Sequence, residues 1–319
     1  MLYFVDKPFF QGSHAGVKPK NDLIQQLKKL GFQTLQNNII LNPEDIVFFY
    51  YPFSYDWERE LFTTLTQSQV STILFIMDIR SLTYEGESLK AELDLFNQAN
   101  SLIVHNEQMK NWLLEQGIYQ AMFCLKLFDY LVPEQIFENI PLRVLSNQVV
   151  FAGCLHPDLR KFLYDRNYNH SYQLNVYGPD LMEDINSHCT TYFGVYTPEE
   201  IPAYLKGSFG LHWNGANQHS CIGPVAEYSK IVTSHKVSLY SISKLPIICW
   251  DESSEANWIR ENKLGILISS LDEIDDKLHE ITEEEYEEMF QNVCRYANRL
   301  KEGYYFKRVI HDVLNHLES

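Results

Sequence analysis

The sequence has 319 residues, of which 45% are hydrophobic and 14% aromatic, and its formal net charge at pH 7 is −16. This length exceeds what one hydrophobic core usually serves, so two domains are expected. The acidic balance supplies no basic field that would attract phosphate polymers, which argues against a general nucleic-acid or anionic-membrane binder.

The six cysteines occur singly, with no Cys-x-x-Cys pair, and are predicted to be reduced structural thiols rather than a zinc site or a disulfide framework. The amino terminus lacks a basic segment followed by an apolar core, and no run of about 18 apolar residues occurs anywhere. The chain is therefore expected to be cytoplasmic and without a membrane span.

Apolar runs alternate with amphipathic segments through the first half of the chain. A first strand is predicted at 2–5, followed by a helix at 21–30 with an Asn21 cap and a Gly31 stop. Further strands are predicted at 46–51, 72–77 and 101–105, with helices between them at 57–66, 89–97 and 107–116. Such alternation is typical of a parallel sheet covered by helices.

A second series of the same kind follows a linker at 133–147. Its predicted strands are 149–153, 174–177, 209–213, 246–250 and 265–268. Two such series in tandem predict an α/β protein with two Rossmann-like domains facing a cleft. The expected domains are 1–147 and 148–303, and an amphipathic helix at 304–319 is expected to pack back across the domain junction.

The segment 234–250 carries the most specific signal. It predicts a short helix that opens on His235 and Lys236, a break at 244–246, and then a buried strand. This order places a cation and free backbone N–H groups at the carboxyl ends of a parallel sheet, where α/β proteins hold phosphates. Lys236 is therefore predicted to bind a diphosphate; the alternative is a solvated lysine whose charge opposes the helix dipole.

Two other stretches offer contacts to a ligand. The loop containing Gly12 and Ser13 permits close approach of the backbone to a ligand, unless it is an ordinary connection between a strand and a helix. Gly153 follows a strand and precedes the paired cations Arg160 and Lys161, which suit a phosphate or simply face solvent. The segment 234–250 supplies a second cation, Lys236, at the same edge of the sheet, and this favours the interpretation that the pair binds a phosphate.

Single residues at strand ends complete the candidates. Asp78 ends a strand, where it would orient a sugar hydroxyl or act as a catalytic base, unless it caps a helix or pairs with Arg80. His105 ends the next strand, and a packed or capping histidine is the simpler interpretation. Tyr196 and Trp213 offer rings that stack on a nucleobase, or else are buried aromatics.

No Asp-x-Asp sequence occurs in the chain. Nucleotide-sugar enzymes that hold their diphosphate through a divalent metal commonly present that pair. The sequence therefore predicts that cationic side chains and a helix N-terminus neutralise the diphosphate, with no metal or other cofactor.

Taken in order, these pieces resemble the bacterial GT-B glycosyltransferases of the galactofuranosyltransferase-like group, which includes the glucosyltransferases that extend glycans on serine-rich repeat adhesins. The specific pieces read Lys-Phe-Leu-Tyr at 161–164, Tyr-Gly-Pro at 177–179 and His-Lys-Val-Ser-Leu-Tyr at 235–240. The other matching pieces, which extend the resemblance over almost the whole chain, are 15–22, 77–82, 103–113, 151–153 and 210–215.

The resemblance implies a UDP-sugar donor held mainly by the C-terminal domain, an acceptor on the N-terminal domain, and no metal. By position, Lys236 would be the phosphate-binding lysine, with His235 next to it. Tyr196 would be the donor-site tyrosine, and Arg160 or Lys161 the second phosphate cation.

The resemblance also places the Gly12 and Ser13 loop against the donor, from the other domain. The chain departs from the family at one point. Relatives commonly read Ala-Ala-Gly before the last central strand, whereas this chain has Ile-Ser-Lys at 242–244, so the identity of the donor sugar is not carried over.

The sequence thus predicts a hexosyltransferase that moves a galactofuranosyl, galactosyl, glucosyl or related group from a UDP-sugar to a glycan acceptor on a protein, lipid or polysaccharide. Lys236 and Asp78 are its predicted catalytic residues. One alternative is a catalytically silent GT-B homologue that binds a glycan or a partner; another is a nucleotide-sugar epimerase. The resemblance also suggests a homo-oligomer, although no heptad or exposed apolar stripe argues for one independently.

Overall fold

Runs of consecutive apolar residues form two separate parallel sheets, as expected of strands that are covered on both faces. The computed structural model describes residues 1–6, 16–36, 39–84, 86–165, 168–215 and 217–319. Its chain divides into two units. The first comprises residues 1–6, Lys20–Leu127 and Tyr304–Ser319, and the second comprises residues 16–19 and Phe128–Gly303.

The first unit contains a six-stranded parallel sheet in the order β2-β1-β3-β4-β5-β6. Its strands are β1 (Leu2–Phe4), β2 (Gln33–Thr34), β3 (Ile46–Tyr51), β4 (Ser71–Ile76), β5 (Ser101–Val104) and β6 (Ala121–Cys124). Its helices are α1 (Val17–Lys29, whose first three residues group with the second unit), α2 (Asp56–Thr66), α3 (Leu89–Phe96), α4 (Glu107–Glu115) and α12 (Tyr304–Leu317), with a short 3-10 helix at Arg80–Leu82.

Aromatic side chains dominate the core of the first unit. All six residues of β3 are buried, and the ring of Phe48 at its centre packs edge-on against Phe306 of α12 at 5.9 Å between centroids. Phe306 also lies 6.4 Å from Phe75 of β4. The C-terminal helix therefore completes the core of the first unit, and its predicted place at the domain junction stays a prediction.

The second unit contains a second six-stranded parallel sheet, in the order β12-β11-β10-β7-β8-β9. Its strands are β7 (Gln148–Ala152), β8 (Gln173–Tyr177), β9 (Thr190–Tyr192), β10 (Phe209–His212), β11 (Ile247–Trp250) and β12 (Gly265–Ile268). Its helices are α5 (Glu134–Glu138), α6 (Ile201–Tyr204), α7 (Pro224–Ser229), α8 (His235–Ile242), α9 (Ala256–Glu261), α10 (Ile274–Glu280) and α11 (Glu283–Lys301), with 3-10 helices at Lys161–Tyr164 and Leu271–Glu273.

Strand order fixes where each sheet is best suited to bind a ligand. In each sheet the order reverses beside the strand that comes first in the chain, which places a switch point between β1 and β3 and another between β7 and β10. Open α/β sheets bind ligands in the crevice outside the carboxyl ends of the strands at such a point.

The predicted α/β class with two tandem parallel sheets is confirmed. The boundary between the units falls after Leu127 rather than at the predicted 147, because the intervening segment bonds to the second unit. The Tyr130 N–H donates to the Leu300 carbonyl at 3.3 Å, and the Arg143 guanidinium donates to the Ser243 carbonyl. No helix in the described parts of the chain is both long and apolar enough to cross a membrane.

Candidate functional site

A cavity of about 400 Å³ lies at the switch point of the second sheet, formed entirely by residues of the second unit. The end of β7 supplies Gly153, the first turn of α8 supplies His235 and Lys236, and the segment after β9 supplies Tyr196. We call it the β7–α8 cavity. Arg160 also lines it, so three separately predicted parts of the sequence meet at one place: the Gly153 and Arg160 stretch, Tyr196, and the start of α8.

Lys236 extends over the end of β7 and needs a glycine beneath it. Gly153 has a φ of +150°, and a Cβ built there would lie 3.0 Å from Cε and 3.3 Å from Nζ of Lys236. The lysine is only partly exposed, and burial, followed by the nearby Arg160, lowers its pKa to about 7. A group in this state becomes a full cation when an anion binds next to it.

Arg160 provides the second cation of the cavity. It is 7% exposed, its Nη1 donates to the Leu159 carbonyl at 2.7 Å, and its Nε has no hydrogen-bond partner within the described ranges. Burial lowers its pKa. The Arg160 Cζ and the Lys236 Nζ lie 5.7 and 5.6 Å from the centroid of the same ring, Phe151, so both cations sit over one buried aromatic floor.

No carboxylate neutralises these two cations: neither forms a salt bridge with any residue that the structure describes. The positive charge of the two side chains also affects His212 at the end of β10. Burial, then Lys236 and then Arg160 lower the pKa of the buried His212 to about 3. Burial disfavours a charge of either sign, so it is the smaller contributions of Lys236 and Arg160 that indicate a positive potential beside the cavity.

The position of α8 is fixed at its start and along its buried face. Ser234 is the N-cap, and its Oγ accepts a hydrogen bond from the Lys236 backbone N–H at 3.2 Å. The hydroxyl of Tyr240 accepts from the Ala152 N–H and donates to the Leu211 carbonyl, each at 3.0 Å. This tyrosine joins α8 to β7 and β10, the two strands at the switch point.

An aromatic and cationic stack forms another wall. The His235 ring stacks on Tyr130 with centroids 5.0 Å apart, and the Lys18 Nζ lies 5.1 Å from the Tyr130 centroid. Lys18 is 3% exposed and donates to the Leu131 carbonyl at 2.5 Å. Burial, together with Lys18 and Lys236, lowers the His235 pKa to about 3, so this imidazole is neutral at physiological pH.

The far wall is formed after β8 and β9. Tyr196 lines the cavity, with one face of its ring stacked on Tyr204 at 4.6 Å between centroids. Gly178 has a φ of +138°, and a Cβ there would lie 1.8 Å from the Gly153 carbonyl oxygen. Cys154 donates to the Asp180 carboxylate at 3.3 Å, and both residues line the cavity.

Other predicted residues lie elsewhere. Lys161 is exposed and does not line the cavity, so Arg160 is the member of the pair that reaches it. Asp78 lies two residues beyond β4 in the first unit, and its role as a base stays a prediction. Gly12 and Ser13 lie outside the described residues.

Two further candidates are structural. Trp213 is fully buried and donates from Nε1 to the Asn217 carbonyl at 3.0 Å, so the nucleobase-stacking interpretation of this ring is wrong. His105 is a packed histidine: it is 3% exposed, and burial lowers its pKa to about 4.

Sequence reasoning missed Lys18, Tyr130, Cys154 and Asp180. The available signals were the Lys-Pro-Lys of 18–20 and the non-glycine turn after Tyr-Gly-Pro, where Asp180 has a φ of +66°. The described parts of the chain contain no group of three or more His, Cys, Asp or Glu side chains arranged to hold a metal ion.

Two parallel α/β sheets in tandem, with a cavity lined by two cationic side chains at the switch point of the second, are the architecture of the GT-B class of glycosyltransferases. Two family models match the sequence: the glucosyltransferase 3-like C-terminal domain over residues 149–313 and the glucosyltransferase 3-like N-terminal domain over residues 39–127. The chain belongs to the glucosyltransferase 3-like family.

Curated relatives and solved structures agree with this assignment. Beta-1,6-galactofuranosyltransferase WbbI of Escherichia coli (strain K12) is 26% identical over 280 residues, covering 88% of this chain and 82% of the relative. Glucosyltransferase 3 of Streptococcus gordonii is 27% identical over 262 residues, covering 81% and 75%.

Among solved structures, sucrose-phosphate synthase from Thermosynechococcus elongatus superposes with a TM-score of 0.59 at 10% identity, covering 99% of this chain and 98% of that one. The DNA-modifying enzyme beta-glucosyltransferase superposes at 0.52 with 12% identity, covering 97% and 99%. These likenesses show the fold. The predicted GT-B family is confirmed, and the chain is a glycosyltransferase.

Proposed function

We propose that this enzyme transfers a hexosyl group from a UDP-sugar to a glycan acceptor, and that it neutralises the leaving diphosphate without a metal ion. Relatives that carry the names galactofuranosyltransferase and glucosyltransferase support a hexosyl group. One solved structure of the same fold is described with uridine diphosphoglucose as its substrate, which supports UDP as the carrier.

The observation that carries the proposal is the pair of cations that line the β7–α8 cavity, Lys236 and Arg160, neither of which has a carboxylate partner within the described parts of the chain. Burying like charges together costs free energy, which a bound diphosphate recovers. Backbone N–H groups at the start of α8 add the positive end of the helix dipole. Gly153 keeps the approach to them open.

The chemistry follows from where charge develops. The bond between the anomeric carbon and the diphosphate oxygen breaks, the acceptor hydroxyl oxygen bonds to that carbon, and the hydroxyl proton leaves to a base. UDP gains negative charge as the sugar becomes oxocarbenium-like. Lys236 and Arg160 stabilise that charge most strongly in the transition state, which is the condition for accelerating the reaction.

The neutral His235 and the ring of Tyr196 line the same cavity without adding charge. We assign them to holding uncharged parts of the donor. The wall containing Lys18 is held by its own contacts, since this ammonium donates to Leu131 and lies 3.7 Å from the Glu199 carboxylate. It therefore shapes the site rather than competing for the diphosphate.

A thermal-unfolding series with UDP, GDP, dTDP and CMP, each with and without EDTA, tests the proposal. A ligand that binds only the folded chain stabilises it by about 2.7 kcal/mol at a hundredfold excess over Kd. We expect UDP alone to raise the midpoint, and EDTA not to change that rise.

Two outcomes would overturn parts of the proposal. Loss of the UDP effect in EDTA would show that a metal holds the diphosphate. Absence of any nucleotide effect would favour the catalytically silent glycan- or partner-binding module instead. Product analysis with a UDP-sugar separates transfer from epimerisation, because an epimerase returns a sugar that is still attached to UDP.

A further inference from the structure

A second cavity, of about 650 Å³, lies in the first unit at the carboxyl ends of β1 and β2. Its walls are Asp6 after β1, Gln36 after β2, Leu41, and the Trp57 and Leu61 face of α2. We call it the α2 groove. Asp6 follows β1 at the switch point of the first sheet, the place where open α/β sheets bind ligands. The proposed function leaves this groove without a role.

An aromatic platform formed by Tyr55 and Trp57 lies at the start of α2, and its Trp57 ring lines the groove. Trp57 is 45% exposed and Tyr55 is 38% exposed, although residues of this size are usually covered. Their rings lie nearly parallel, with an interplanar angle of 16° and centroids 6.4 Å apart. Because Tyr55 stacks on one side of Trp57, the other Trp57 ring face is the one suited to the C–H face of a sugar ring, whose hydrogens carry partial positive charge.

The backbone that carries the platform is fixed by local hydrogen bonds. The Glu58 carboxylate accepts hydrogen bonds from the backbone N–H groups of Ser54 and Tyr55 at 2.5 and 2.9 Å, which forms a capping box at the start of α2. Trp57 lies in the first turn that this box secures. Pre-organisation lowers the entropy cost of binding.

A carboxylate in the groove determines the chemistry of the occupant. The Oδ1 atom of Asp6 is buried and has no hydrogen-bond partner among the residues that the structure describes. A buried acceptor in this state calls for a donor from a ligand. A sugar hydroxyl is such a donor, whereas a phosphate would be repelled.

We propose that the α2 groove binds a neutral sugar ring of the acceptor glycan, with the ring stacked on Trp57 and a hydroxyl donating to Asp6. This proposal rests on the proposed function, because a bound glycan is an acceptor only if the enzyme transfers a sugar to it. It specifies an uncharged glycan end as the acceptor, rather than a phosphate-bearing or peptide end.

Fluorine NMR of the full chain carrying 5-fluorotryptophan tests the proposal, with the Trp57 signal assigned by Trp57→Phe. The probes are methyl β-D-galactopyranoside and methyl α-D-glucopyranoside, with glucose 1-phosphate as the charged counterpart. We expect at least one neutral glycoside to move the Trp57 signal saturably in the millimolar range. The other four tryptophans should not move, and glucose 1-phosphate should bind at least tenfold more weakly.

Variants give the matched comparison. Trp57→Ala and Asp6→Asn should weaken glycoside binding at least fivefold, whereas Tyr119→Ala, which removes an 80% exposed ring elsewhere in the first unit, should not change it. Trp57→Ala should also raise the acceptor KM in a transfer assay while leaving UDP binding intact. A Trp57 signal that no glycoside moves, or that glucose 1-phosphate moves equally well, overturns the proposal.

UDP thermal shifts on the same samples keep the two proposals separate. Binding of UDP without any glycoside effect at Trp57 would reject the groove and leave the proposed function standing. Glycoside binding at Trp57 without any nucleotide effect would reject the proposed function and keep the groove as a glycan-binding site on a protein that does not use UDP.

Discussion

Lys236 is the residue on which the proposed chemistry depends most. Its ammonium lies beside Gly153 and shares the Phe151 ring with Arg160, and no carboxylate among the described residues pairs with it. We therefore expect Lys236 to contribute to binding and catalysis through its charge, and to contribute little to the stability of the fold.

Lys236→Ala should lower kcat by about a hundredfold, because removal of one preorganised charge contact costs on the order of 3 kcal/mol of transition-state stabilisation. The ligand-free variant should unfold at the same urea concentration as the parent or higher, since a buried cation has been removed. Steady-state kinetics and urea denaturation measure the two effects. Near-parental turnover in a folded variant would remove Lys236 from the mechanism.

Arg160 and Lys161 are adjacent in sequence but differ in location, which makes them a natural comparison. Arg160→Ala should weaken UDP binding by about tenfold to a hundredfold, the value of a charged hydrogen bond. Lys161→Ala, at an exposed position outside the cavity, should leave the Kd within about twofold. Calorimetric titration of both variants checks this, and equal losses would contradict the structural assignment.

The lowered pKa of Lys236 gives UDP binding a pH dependence with a defined sign. At pH 6 the free lysine already carries its proton, whereas at pH 8 it is largely neutral and must take one up when the diphosphate binds. We therefore expect affinity to fall as pH rises above about 7, by up to tenfold per pH unit.

Calorimetry in buffers of different ionisation enthalpy measures that proton directly. The parent should take up about one more proton at pH 8 than Lys236→Arg, since the arginine is always charged. UDP titrates similarly in both experiments, so the difference isolates the lysine. Identical proton uptake in the two proteins would show that another group titrates.

At the scale of elements, α8 is the part of the fold that makes the cavity. Its N-terminal residues line the β7–α8 cavity, while its C-terminus is held by a buried arginine. Arg143 donates from Nε and Nη2 to the Ser243 carbonyl at 3.2 and 2.9 Å, and from Nη1 to the Leu205 carbonyl at 2.7 Å. A cation at this end complements the helix dipole, whose positive end lies at the β7–α8 cavity.

Arg143→Met should reduce the free energy of unfolding by about 2–4 kcal/mol, because two buried carbonyls lose their donors while the side-chain volume is retained. Arg260→Met, at an exposed position on α9, is the control and should change the stability by less than about 0.5 kcal/mol. Urea denaturation at constant pH gives both values. A stability equal to that of the control would mean that the arginine is not needed at the end of α8.

At the scale of the whole molecule, histidines with lowered pKa values should determine how the free energy of unfolding changes between pH 5 and pH 7. His105, His212 and His235 have pKa values lowered to about 4, 3 and 3 by burial, so the unfolded chain binds their protons first. Stability should therefore rise with pH between about 5 and 7. Glu255, whose pKa burial raises to about 7, and Asp251, whose pKa burial also raises, oppose this trend, whereas His170, whose pKa burial lowers, adds to it.

Urea midpoints measured from pH 5 to pH 7 without ligand check this expectation. Carboxylates with lowered pKa values, such as Asp45, change charge below this window and do not contribute to it. A flat or falling profile would contradict the dominance of the histidines.

Much of the fold follows from apolar periodicity alone. The strands β3 and β12 have the predicted bounds, and the helix opening at His235 begins where expected. The three missed strands, β2, β6 and β9, are all edge strands. Strands β2 and β9 carry no continuous apolar run, whereas the four residues of β6, Ala-Met-Phe-Cys, are all apolar and form a run that the sequence analysis did not assign. The predicted Asn21 cap is wrong, because α1 begins at Val17. Pro19 fits in its first turn, since backbone N–H groups there have no hydrogen-bond acceptor within the helix and the missing N–H of proline costs nothing.

The site was predictable where local sequence carries the signal. Lys236, Gly153 and Arg160 stand in recognisable strand-turn patterns. Lys18 and Tyr130 meet across more than a hundred residues of sequence, and only tertiary folding brings that pair to the cavity. The α2 groove escaped notice for the same reason, since an exposed tryptophan has no sequence signature of its own.

The unneutralised cations of the β7–α8 cavity have a consequence for the life of the protein in a cell. An enzyme whose empty site contains uncompensated charge is at its least stable when its substrate is scarce, and it gains stability by mass action when the donor accumulates. Proteases remove transiently unfolded chains, so we expect the abundance of this enzyme to follow the supply of its own sugar nucleotide. A half-life that stays constant in cells depleted of the donor would show that degradation ignores the empty site.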